Sequence, residues 1–62
     1  MMQSGVLIAI VTTNPDAIKG GGAPIIIAKD KTEMERLSLL ISRMTQSAIH
    51  DLENDINFLY RH

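Results

Sequence analysis

Cysteine is absent from the 62-residue chain. Disulfide staples, thiolate metal sites and thiol nucleophiles are excluded with it. Tryptophan is missing too, and one phenylalanine and one tyrosine are the only members of the Phe/Trp/Tyr set, so an apolar fraction of 45% is almost entirely aliphatic. Neither sign of charge dominates: six Lys and Arg stand against seven Asp and Glu, the net charge is −1 and the pI is about 6.0. A nucleic-acid binder would need a basic face able to displace phosphate counterions, and here the basic residues are scattered, so no nucleic-acid partner is expected. The apolar run from Val6 to Val11 is far below the roughly 20 residues of a membrane span. Nothing basic precedes it and no small-residue cleavage site follows, so no secretory leader, no membrane partner and a cytoplasmic location are expected. After Pro24 neither glycine nor proline occurs again.

What is present is one small domain, 1–62. Below roughly 70–80 residues a single core seldom supplies more than about 3–5 kcal/mol, and chains of this size usually add a staple, a metal or a second copy. With the first excluded and no thiolate for the second, self-association is the expectation, as a homodimer or larger homo-oligomer.

Residues 5–13 form a β-branched, apolar run closed by the turn-forming Asn14-Pro15-Asp16. Its apolar character is continuous, which belongs to a strand covered on both faces. Asn14 followed by Pro15 also has the form of a helix cap, with Gly20 ending a single turn. A Gly-rich, flexible connection over 14–23 leads to a second strand over 24–28, where Pro24 suits a first position. About ten residues separate the two strands, short for a parallel crossover, so an antiparallel pair is expected.

Thr32-Glu33-Met34-Glu35 has the form of a capping box. From Met34 the apolar positions run through Leu37, Ile41, Met44, Ala48, Leu52, Ile56 and Leu59 at spacings of three and four. These fall in a sector roughly 120° wide, and with no breaker the spacing predicts one amphipathic helix over 33–61, about 43 Å long at 1.5 Å per residue. The fold expected is therefore α+β: an antiparallel strand pair and one long helix, assembled as a homo-oligomer whose subunit interface is Leu37, Ile41, Met44, Ala48, Leu52, Ile56 and Leu59. On this reading Ile41→Asp dissociates the oligomer. The competing arrangement is ββαβ, with a helix over 33–50 and a third strand over 56–60, favoured by the turn-prone Glu53-Asn54-Asp55 and by the β propensities of Ile56, Phe58 and Tyr60.

Two constellations bear on chemistry. Lys19 with Gly20, Gly21 and Gly22 offers backbone amides and a charge to an anion, with Lys29 and Lys31 in support. The run lacks a following Lys-Ser/Thr and the G-x-G-x-x-G spacing, and it leads into a strand instead of a helix N-terminus, which makes a plain connection the simpler account. His50, Asp51, Glu53 and Asp55 mix an imidazole with carboxylates, but on a helix they disperse, giving two ligands at most on one face. Ser4, Ser38, Ser42 and Ser47 have no recognisable base and orienting group around them. No metal, cofactor or catalytic residue is expected. The function expected is a small homo-oligomeric protein-interaction or regulatory module without catalysis of its own, binding itself and another protein. An anion-binding or small-ligand module is the alternative, and an enzyme with a site shared between subunits a more distant one.

Overall fold

In the computed structural model, which describes residues 5–16 and 22–62, the chain is α+β. Among the described residues four strands and one helix follow in the order β1 (Val6–Thr12), β2 (Ile25–Ile27), α1 (Lys31–Thr45), β3 (Ala48–Asp51) and β4 (Ile56–Arg61). The strands form one mixed sheet in the order β2-β1-β4-β3.

The first correction concerns the strand pair. β2 runs parallel to β1, with Ile10 beside Ile25 and Thr12 beside Ile27. Twelve residues, 13–24, separate the observed strand ends, which meets the dozen that a parallel crossover needs. The antiparallel expectation came from strand ends placed one residue too far into the connection on each side. Asn14 makes the turn expected of it: its side chain accepts from the Asp16 amide at 3.0 Å. The single helical turn ending at Gly20 lies outside the described residues.

The second correction is the length of the helix. α1 stops at Thr45, and Gln46 takes the left-handed conformation at φ 57° with its amide bonded to the Ser42 carbonyl. Hydroxyls explain the stop without glycine. Thr45 Oγ1 donates to the Ile41 carbonyl at 2.7 Å, Ser42 Oγ donates to the Ser47 carbonyl, and the Ser47 amide donates back to Ser42 at 3.0 Å. Such side chains compete for backbone partners and favour ends over interiors. The cap at the other end also moves. Asp30 is the N-cap and accepts from the Glu33 amide at 2.8 Å, while Glu33 Oε1 accepts from the amide of Lys29, the residue before the cap, at 2.9 Å, so the capping bonds centre on Asp30 and not on Thr32.

Residues 46–61 are therefore not helical. β3 and β4 form a hairpin, and β4 occupies the place of the third strand in the ββαβ alternative; β3 belongs to neither expected arrangement. The connecting Glu53, Asn54 and Asp55 are all left-handed, at φ 69°, 53° and 60°. Long-range bonds hold them: Thr12 Oγ1 donates to the Asp55 carbonyl at 2.7 Å and Thr13 Oγ1 to the Asp55 carboxylate at 3.3 Å.

From one edge of the sheet, at β2, α1 carries the chain across one face to the other edge, at β3. Between it and the sheet lies the core of Ala9, Val11, Ala28, Met34 and Leu59, with Ile8, Ile26, Leu37, Ile41 and Ile49 packed around it. A buried polar link joins helix to sheet: Asn57 Nδ2 donates to Ser38 Oγ at 3.1 Å, and Ser38 Oγ donates to the Met34 carbonyl at 2.7 Å. On the opposite face Ile10 is flanked by Ile25 and Phe58, and Thr12 by Ile27 and Ile56, so the second half of β1, 9–12, is buried while Val6 at its start is exposed.

Candidate interaction surfaces

Of the anion-binding candidates, Lys19, Gly20 and Gly21 lie outside the described residues, and Gly22 is exposed. Lys29 sits before the helix cap, and Lys31 opens α1. Lys31 lines a hollow of about 290 Å³ whose walls include Glu35, Asp51, Glu53 and Asp55, four carboxylates to one ammonium. A field of that sign disfavours an anion. Among the described residues no group of three or more His, Cys, Asp or Glu is placed to hold a metal ion, and no helix is long and apolar enough to cross a membrane.

The residues expected on one interface stripe are divided by the end of α1. Leu37 and Ile41 are half-buried against the chain's own core, and Leu59 is completely buried within it. Ala48 is exposed on β3, Leu52 is exposed in the hairpin connection, and Ile56 is half-buried at the start of β4. Met44 is 81% exposed. Beside it stands Leu40, 45% exposed, a residue the periodicity passed over. At 100° per residue Leu37, Leu40, Ile41 and Met44 share a sector about 100° wide, so one flank of α1 extends the core outward as aliphatic surface.

A second surface lies on the sheet face away from the helix. His50 on β3 and Phe58 and Tyr60 on β4, with Leu52 and His62, line an apolar hollow of about 370 Å³. The three polar rings form a cluster. The His50 and Tyr60 centroids are 6.0 Å apart at 84°, those of Tyr60 and His62 5.1 Å apart at 52°, and those of His50 and His62 6.2 Å apart at 70°. The Tyr60 ring lies over Gly5, where a Cβ would overlap it. This cluster was missed because a helical reading scatters Phe58, Tyr60 and His62. Their spacing of two was the signal for a shared strand face.

Aliphatic surface on a helix flank and an apolar hollow on an open sheet face are features of a small protein-interaction component, and the family match agrees. The family model described as "Capping complex subunit for YIEGIA" matches residues 4–62, and the chain belongs to that family. No curated protein and no solved structure matches it significantly.

Proposed function

We propose that the chain is a non-catalytic, protein-binding subunit of a capping complex, the complex that its family's description assigns to YIEGIA, and that it self-associates through the flank of α1. The observation that supports the reading is the position of Met44 and Leu40. Both extend a helix face whose inner members, Leu37 and Ile41, already belong to the core. A second copy packed there would continue that core, which is how a chain of this size gains the stability its own interior lacks. The interface is narrower than the full stripe: Leu37, Leu40, Ile41 and Met44 carry it, and Leu59 contributes only by supporting the helix from beneath.

Sedimentation equilibrium across a wide concentration range tests the proposal. The parent chain is expected to associate, and Met44→Asp to weaken association at least tenfold while far-UV circular dichroism is unchanged. Met44 suits the test better than Ile41, whose replacement by aspartate would also damage the core. A parent chain that stays monomeric at every concentration, or a Met44→Asp variant that associates as tightly as the parent, refutes self-association through this flank.

A further inference from the structure

The two edges of the sheet differ. β2 is three residues long, preceded by Pro24 and followed within two residues by Lys29, a short and guarded edge. β3 has no proline, no lysine and no register shift against β4. Among the described residues its hydrogen-bonding pattern leaves backbone groups facing outward. The Leu52 amide donates to the Ile56 carbonyl at 2.9 Å, and bonded positions in an antiparallel ladder recur every second residue. His50 and Ala48 thus turn their amides and carbonyls toward β4, and Ile49 and Asp51 turn theirs outward.

Two hollows straddle this edge. On the outer face is the apolar one lined by His50, Leu52, Phe58, Tyr60 and His62. On the helix side is another of about 300 Å³, where Leu39 and Ile49 stand beside Glu35 and Asp51. A strand added to β3 would send alternate side chains to the two faces, one set into the aromatic hollow and the other over the carboxylates.

The geometry points to β3 as the receiving edge for an extended segment of a partner protein in which apolar and basic residues alternate. This rests on the protein-binding reading given above and names a second surface for it. Charge selects a partner over a second copy. Glu35, Asp51, Glu53 and Asp55 gather at this end around Lys31, the one cation among the described residues that line the hollow, and another β3 would bring a further Asp51 where a cation is wanted. The backbone bonds supply attachment, the outer hollow takes an aliphatic or aromatic side chain, and the carboxylates choose the sign of the intervening residues.

The probes are two short synthetic peptides, one alternating valine with lysine and one alternating valine with glutamate, titrated into the whole chain at low ionic strength and followed by amide NMR. Shifts are expected at Ala48, Ile49, His50, Asp51 and Leu52, with slowed exchange of the Ile49 and Asp51 amides. The lysine peptide is expected to bind about fivefold tighter than the glutamate peptide, the scale of one or two exposed ion pairs. In a chain carrying both Glu35→Lys and Asp51→Lys, two exposed positions, the preference should reverse. Asp51→Pro removes an outward amide at a solvent-facing position and should abolish binding with circular dichroism preserved. Equal affinity for the two peptides, no binding, or shifts confined to other elements overturns the proposal. So does protection of the Ile49 and Asp51 amides in the unliganded dimer, which would assign the edge to a second copy. Any of these outcomes with association through α1 intact leaves the subunit reading standing.

Discussion

Replacing Leu59 with alanine separates the strand from the helix that the spacing suggests. Leu59 is completely buried between Ala9 on β1 and Ile49 on β3, facing α1. Truncating a buried leucine costs about 2–5 kcal/mol, the transfer of the lost atoms plus the cavity that stays behind. A chain of 62 residues at roughly 0.05–0.15 kcal/mol per residue has about 3–9 kcal/mol in total. Leu59→Ala should therefore remove about half of the stability, and with a urea dependence on the order of 1 kcal/mol per molar the midpoint should fall by ~2 M or more. The assay is urea unfolding followed by circular dichroism at several protein concentrations, with Met44→Ala as the comparison. Met44 is exposed, so in the monomer its truncation should cost no more than about 0.5 kcal/mol. The loss at Leu59 should persist at concentrations where the parent is monomeric. A loss that vanishes there would mean that Leu59 packs between chains, and the assignment of β4 to the intrachain core would be wrong.

Other consequences follow from single contacts. Gln46→Gly should stabilise the chain by about 0.5–1 kcal/mol, because the helix ends there at φ 57°, where a side chain is strained; an unchanged or lower melting temperature would contradict that C-cap. Ser38→Ala removes the partner of the Asn57 amide in a buried site and should cost about 1–3 kcal/mol, much of it recovered when Asn57 is replaced by leucine in the same chain. The recovery is read as the coupling in a double-mutant cycle of urea midpoints, and additive losses would sever the link. Gly5→Val should displace the Tyr60 ring, seen as lost near-ultraviolet dichroism from Tyr60 with far-ultraviolet signal retained. A spectrum like the parent's would show that the ring does not lie over Gly5.

Much of the fold was legible where local chemistry and tertiary structure agree. The β-branched run of β1, the Asn14 turn, proline at the entry to β2 and the start of α1 within two residues all follow from short-range preferences. Of the residues placed on the proposed surfaces, Leu37, Ile41 and Met44 follow from spacing, while Leu40 and the rings of His50, Tyr60 and His62 do not. An apolar spacing of threes and fours continues into the hairpin, so the pattern alone could not show where α1 stops.

By itself the sequence determined a small α+β chain with an aliphatic core, no thiol chemistry, a first strand apolar along its length and more apolar surface than one helix covers. Tertiary structure alone decided the rest. Gln46 and the Glu53-Asn54-Asp55 connection are left-handed without glycine. The hairpin's bonds to Thr12 and Thr13, more than 40 positions away, help hold the connection in place. The direction of β2 depends on one more residue of connection at each end than the sequence showed, and the open edge of β3 exists only because the helix ends early. The hairpin connection balances local strain against distant contacts, and the helix stop at Gln46 rests on hydroxyl bonds within five residues; a periodicity read along the chain contains neither.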